Sequence, residues 1–187
     1  MPNDSKTVLR KKFLSLLRAQ SDADRLKKSR QILQKLFSRQ EFHGAKTVLF
    51  YASFDGEVET FDMIKQAQKL GKSTALPAII KDQKKIVPTV VQNVEEELAI
   101  GAYGIKEHSQ PLEKSLATDK IDLVVVPGLA FDRDNYRLGR GHGYYDRFLT
   151  SLSPRTPAIG LAFDFQIVDR LPHLEDHDHP VSCVIVN

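Results

Sequence analysis

Cysteine is nearly absent from this 187-residue chain, and the single residue present, Cys183, excludes any internal disulfide. It sits within Val181-Ser-Cys-Val-Ile-Val186, where an inert thiol in a strand is the expectation rather than a nucleophile. No apolar run approaches the ~20 residues of a membrane-spanning helix. The start, Met1-Pro-Asn-Asp-Ser-Lys6, lacks the apolar core of a secretory signal, so a cytoplasmic location is expected. A basic tail and an RNA-binding signature are also missing. The net charge of +3 therefore suits anionic small molecules, and no nucleic-acid partner is expected. There is no repeat and no linker, which leaves one domain over residues 1–187, expected as a monomer. With 41% hydrophobic and 27% charged residues, the composition argues for a globular core and against disorder.

Residues 6–20 place Val8, Leu9, Phe13, Leu16 and Leu17 at helical spacing, flanked by Lys6, Arg10, Lys11 and Lys12. A second helix is expected from a Ser21 cap, with Leu26, Ile32, Leu33, Leu36 and Phe37 as its stripe and Gly44 ending the helical region. A strand over Thr47–Ser53 and a helix over Thr60–Leu70 follow, then two proline-bearing segments, Ser73–Ile80 and Lys85–Val91, that read as edge strands. Glu95–Glu97 reads as a solvated turn or short helix. Ile121–Val126 is apolar but for Asp122, as in a strand buried on both faces of a parallel sheet. A helix over Tyr144–Leu152 and strands over Pro157–Phe163 and Val181–Val186 complete the set. The expected fold is α/β: a three-layer sandwich, with an open, mostly parallel sheet and helices on both faces.

Chemistry concentrates just beyond the apolar strand. Gly139-Arg-Gly-His-Gly143 lacks the Gly-Lys-Ser/Thr ending of a P-loop and is not the six-residue dinucleotide fingerprint. Glycine spacing alone fits a solvated turn equally well. Arg137 and Arg140, however, stand three apart with glycine between them, so two guanidinium forks can converge on one polyphosphate while the main chain stays clear. The loop follows a buried strand and precedes a helix whose first amides can face an anion. Tyr144 and Tyr145 offer flat faces to a ring. Asp146 is a candidate Mg²⁺ ligand or an ordinary helix-start acid, whereas Asp132 and Asp134 read as loop formers more than ligands.

Pro127-Gly-Leu-Ala-Phe-Asp132 followed by Asn135-Tyr-Arg-Leu-Gly-Arg-Gly-His-Gly-Tyr-Tyr-Asp146 resembles the signature of the 5-formyltetrahydrofolate cyclo-ligase family. The likeness continues more weakly through Lys6-Thr-Val-Leu-Arg10, Gly56-Glu-Val-Glu-Thr60 and His177-Asp178. The resemblance implies ATP-dependent cyclisation of 5-formyltetrahydrofolate to 5,10-methenyltetrahydrofolate, with ATP as co-substrate, Mg²⁺ as cofactor, and ADP and phosphate released. It also implies the three-layer α/β fold. By the same resemblance Lys6, Arg10 and the run Arg137, Leu138, Gly139, Arg140, Gly141, His142, Gly143, Tyr144, Tyr145 would bind ATP. Ala52, Glu57 and Arg140, Gly141, His142, Gly143, Tyr144 would face the folate, and Asp146 with Asp178 would hold the metal. Arg137, Arg140 and Tyr144 would be catalytic. Two positions depart from the family pattern: His142 stands where many members have lysine or glycine, and Ser182 where a second acid is frequent. The cluster His173, Glu175, Asp176, His177, Asp178, His179 has no cysteine pair and no helical His-x-x-x-His, so a polar loop contributing Asp178 is expected there rather than zinc. Two other classes fit the loop chemistry: a kinase or other phosphate-ester enzyme, and a non-catalytic nucleotide- or RNA-binding relative.

Overall fold

Local periodicity and turn residues divide the chain in the following order, seen in a computed structural model that describes residues 3–101, 104–172 and 178–187, with side chains from Ser5 onward. The elements are α1 (Asn3–Ala19), α2 (Asp22–Phe37), α3 (Gln40–Gly44), β1 (Thr47–Leu49), α4 (Phe61–Lys69), β2 (Ser73–Ile80), β3 (Lys85–Val90), β4 (Leu98–Ile100), β5 (Lys106–His108), β6 (Leu123–Val126), β7 (Ala130–Asp132), β8 (Arg137–Leu138), α5 (Tyr144–Thr150), β9 (Ala158–Ala162), β10 (Ile167–Val168) and β11 (Cys183–Val186). Ser21 caps α2 as its position suggests, its hydroxyl accepting from the Asp24 amide at 3.1 Å.

The main sheet runs β11-β9-β6-β1-β2-β3. Its neighbours are parallel except for the antiparallel β2–β3 pair. Alternation along the parallel strands feeds two cores. Val48, Leu123, Val125, Ile159 and Leu161 face Phe13, Leu17, Ile32, Leu36, Met63 and Ile64 of α1, α2 and α4. Leu49, Val124, Val126 and Ala158 face the other way, towards Phe131 and Phe148. Helices on both faces leave no solvated side, which is why β6 is apolar at every position. The expected sandwich is the observed one.

Three local expectations change. Strand β2 is not an edge strand along its first half, because Thr47–Leu49 of β1 pair with Ser73–Ala75. Pro77 lies beyond that ladder and faces Pro88 of β3, so neither missing N–H breaks the parallel pairing. Val8 and Leu16 are 63% and 38% exposed, and the buried stripe of α1 passes instead through Leu9, Phe13 and Leu17. Continued by helical spacing, that stripe brings Lys6 and Arg10 to the inner face. Between β6 and the glycine loop the chain inserts a hairpin, β7–β8, whose turn is organised by buried Asp132. One Asp132 oxygen accepts from the Asp134 and Tyr136 amides and the other from the Leu171 amide. Asp132 is thus a loop former, with its acceptors taken.

A second turn positions the next part of the site. Residues 54–57 close with the Glu57 amide donating to the Phe54 carbonyl, and both central residues have positive φ, Asp55 at 53° and Gly56 at 83°. An Asp-Gly pair suits such a turn. Gly56 also lies against α1, so that a Cβ there would stand 2.4 Å from the Leu17 carbonyl oxygen. Gln20 ties the same contact by donating to the carbonyls of Leu17 and Gly56. Gly56→Ala is therefore expected to lower stability by about 2–4 kcal/mol, from backbone strain plus overpacking. Urea denaturation checks this as a lower midpoint at unchanged slope.

Candidate active site

The carboxyl ends of β1, β2 and β6 open together, and the segments leaving β1 and β6, 51–57 and 127–129, line a cleft of about 680 Å³ with Pro77 and Ile79 from the second half of β2. In an open parallel sheet this is where a ligand finds free main-chain groups and loops instead of packed helices. The inner face of α1 closes one side with Lys6, Arg10, Leu14 and Arg18, and the glycine loop closes another.

One end of the cleft gathers cations, each tied to an oxygen. Lys6 Nζ lies 3.3 Å from Asp178 Oδ2, joining residues 172 apart in the chain. The Arg10 Nε–H donates to the Gly139 carbonyl at 3.1 Å. Arg137 donates to Asp146 Oδ1 at 2.7 Å with its side chain only 5% exposed. Gly141, at φ 99°, lets the loop pass close to the Arg10 guanidinium, since a Cβ there would be 3.4 Å from its Cζ. Helix α5 has seven residues, with Gly143 at φ 64° as a cap lacking a side-chain bond. A helix so short adds little dipole, so side-chain cations, rather than the helix start expected from the sequence, dominate the field here.

The other end is built on Arg140. Its Nε and Nη2 donate to Glu57 Oε1 at 3.3 and 3.0 Å, and its Nη1 donates to Asp55 Oδ2 at 3.0 Å. The guanidinium also lies 4.0 Å from the centroid of the Phe54 ring. Asp55 in turn accepts two bonds from Arg18, at 2.6 and 2.9 Å. Hydrogen bonding from Arg18, helped by Arg140 against partial burial, holds the Asp55 carboxyl below the ordinary range. Glu57 behaves oppositely: burial pushes it up to about 7, against the pull of Arg140.

The structure thus brings Lys6, Arg10, Ala52, Glu57, Arg137–Asp146 and Asp178 to one cleft. Within that run Leu138 is buried in the core, so what it can offer is main chain. The His142 ring stacks on Tyr144 at 5.9 Å, and the Arg147 guanidinium lies 5.6 Å from the centroid of the Tyr144 ring. Ser182 is committed elsewhere: its hydroxyl accepts from the Ala158 amide at 3.0 Å, which accounts for serine at that position by sheet bonding. Asp55, Phe54 and Arg18 were not singled out from the sequence, although the Asp55-Gly56 pair carried the turn signal that places the first of them. His173, Glu175, Asp176 and His177 lie outside the described residues. Among the described residues no three His, Cys, Asp or Glu side chains gather as a metal cage.

The raised Glu57 has a consequence for stability. Folded, it keeps its proton up to about pH 7, whereas its ordinary value is 4.5. In that window the folded chain binds the extra proton, so the Glu57 contribution to stability declines as pH rises through it. The unfolding midpoint of Glu57→Gln is expected to gain on that of the wild type from pH 5 to about 7 in urea melts. Parallel midpoints across the window would show that Glu57 is ionised throughout.

Comparison with known proteins follows the same lines. The chain matches the 5-formyltetrahydrofolate cyclo-ligase family over residues 2–187. It is 34% identical over 194 residues to the 5-formyltetrahydrofolate cyclo-ligase of Mus musculus, covering 98% of this chain and 94% of that protein. With the Escherichia coli K12 enzyme of the same name it shares 32% identity over 142 residues, 75% of this chain and 78% of the other. The solved 5,10-methenyltetrahydrofolate synthetase of Aquifex aeolicus superposes with a TM-score of 0.83 at 32% identity, covering 97% of this chain and 89% of that one. The synthetase from Mycoplasma pneumoniae superposes at 0.76 with 26% identity, covering 96% and 97%. Match length, identity and fold agree, and the chain belongs to the 5-formyltetrahydrofolate cyclo-ligase family.

Proposed function

We propose that this protein catalyses the ATP-dependent cyclisation of 5-formyltetrahydrofolate to 5,10-methenyltetrahydrofolate, releasing ADP and phosphate. The observation that carries the reading, beside family membership, is the two-ended cleft: cations Lys6, Arg10 and Arg137 at one end, and Glu57 with Arg140 at the other. A formamide oxygen is a poor leaving group, so ring closure requires its activation. The formyl oxygen attacks the γ-phosphoryl group, the bond to ADP breaks, and an imidate phosphate forms. The N10 amine then adds to the activated carbon, and phosphate departs with the former formyl oxygen.

In this reading the triphosphate is gripped by Lys6, Arg10 and the loop Arg137–Tyr145, with Arg137, Arg140 and Tyr144 acting on the reacting groups. Ala52, Glu57 and the segment Arg140–Tyr144 hold the folate, Glu57 accepting an N–H of the pterin. Asp146 and Asp178 would hold Mg²⁺, which when bound screens and orients the phosphate oxygens. Bound phosphates would supply new partners for Arg137 and Lys6, which would leave Asp146 and Asp178 to hold the metal. The enzyme's work is positioning and charge neutralisation, without a covalent nucleophile. The reading also places the enzyme in the cytoplasm as a monomer with small-molecule substrates. Among the described residues no helix is long and apolar enough to cross a membrane.

Purified protein with 5-formyltetrahydrofolate and Mg-ATP is expected to develop methenyl absorbance, and to develop none when ATP is left out. Arg140→Ala is expected to lower turnover on the order of 10² to 10³, the effect of losing one preorganised donor. Ring closure without nucleotide, or undiminished turnover in the variant, would overturn the assignment.

A further inference from the structure

The cleft wall carries a donor without an acceptor. The Tyr145 hydroxyl is shielded from solvent and has no hydrogen-bond partner among the described residues, yet the residue lines the cleft. Buried phenols nearly always find a partner, because a dry, unsatisfied donor costs stability. An orphan of this kind on the wall of a binding site points to an acceptor that arrives with the ligand.

Its surroundings say which part of the ligand that is. The Arg137 guanidinium, at the cationic end, lies 5.4 Å from the Tyr145 ring centroid. Phe148 packs edge-on at 6.4 Å and fixes the ring from the other side. Burial, with a smaller push from Glu57 and against the pull of Arg137, holds the phenol protonated well above its ordinary range. Tyr145 therefore stands at the end assigned to phosphate, within electrostatic reach of Glu57 at the end assigned to the folate, with its proton in place to donate.

Resting on the proposed function, we infer that the Tyr145 hydroxyl donates a hydrogen bond to the formyl oxygen of the bound folate while that oxygen is phosphorylated and then expelled. The bond order at this oxygen changes twice. A lone pair forms the O–P bond as the bond from γ-phosphorus to ADP breaks. The N10 lone pair then forms the C–N bond, the C–O bond breaks, and the electron pair leaves with phosphate, which takes up the N10 proton. Tyr145 keeps its own proton throughout: it orients the oxygen for in-line attack and stabilises the charge that grows on it as phosphate departs.

Tyr145→Phe isolates the hydroxyl, since the ring, its Arg137 contact and its Phe148 packing stay. Turnover to methenyl product, expressed per nucleotide-binding site so that any loss of folded protein cancels, is expected to fall on the order of 10²-fold. ATP affinity and the melting temperature of the free enzyme are expected to hold or rise, because no bond of the free enzyme is lost. Unchanged turnover per site would overturn the proposal. So would weakened ATP binding with unchanged turnover at saturation, which would make the hydroxyl a nucleotide contact. Wild-type protein that makes no methenyl product would instead sink the functional reading itself.

Discussion

The site is organised around one buried carboxylate and the guanidinium it shares with a neighbour. Glu57 is 6% exposed and is kept company by Arg140, whose second edge is taken by Asp55. Above about pH 7, where Glu57 gives up its proton, its buried charge is tolerated because it is paired and hydrogen-bonded, and removing Arg140 would leave it stranded. The surrounding structure is arranged to keep that pairing. The Asp55-Gly56 turn aims both carboxylates inward, the close packing of Gly56 on α1 sets the height of the turn, and Arg18 fixes the outer side of Asp55.

The cationic end follows the same logic at lower cost. Lys6, Arg10 and Arg137 each have an oxygen partner in the free protein, so a set of like charges can face one cleft without mutual repulsion dominating. In the proposed reading a polyphosphate would exchange partners with these pairs instead of neutralising bare charges. Both ends depend on the open parallel sheet. Strands β1, β2 and β6 deliver their carboxyl ends to one place, and α1 crosses that opening with its buried stripe turned towards it.

Much of this was legible in the chain itself. The run Ile121–Val126 could be read as a doubly buried strand because only Asp122 along it is polar, and the observed strand is its apolar part, Leu123–Val126; Ser21 could be read as a cap because its hydroxyl precedes an apolar stripe. The glycine loop was recognisable from two arginines set among residues without bulk. What escaped was set by neighbours. Val8 and Leu16 have the chemistry of core residues, but the face of α1 that packs on the core, through Leu9, Phe13 and Leu17, leaves them outside. The β7–β8 hairpin is short, and the bonds of Asp132 that hold it reach as far as Leu171. The proline in β2 suggested an edge, yet the strand is internal until β1 runs out.

Sequence by itself determined the layers of the fold and the kind of loop that follows the central strand, because periodicity, caps and glycine conformations act over a few residues. Tertiary structure decided which charges meet. Arg140 finds Glu57 across 83 positions and Lys6 finds Asp178 across 172, and no local pattern encodes such distances. It also decided that the Tyr145 hydroxyl is left dry and, among the described residues, unpartnered, because solvent exclusion belongs to the assembled wall of the cleft and not to any segment of the chain.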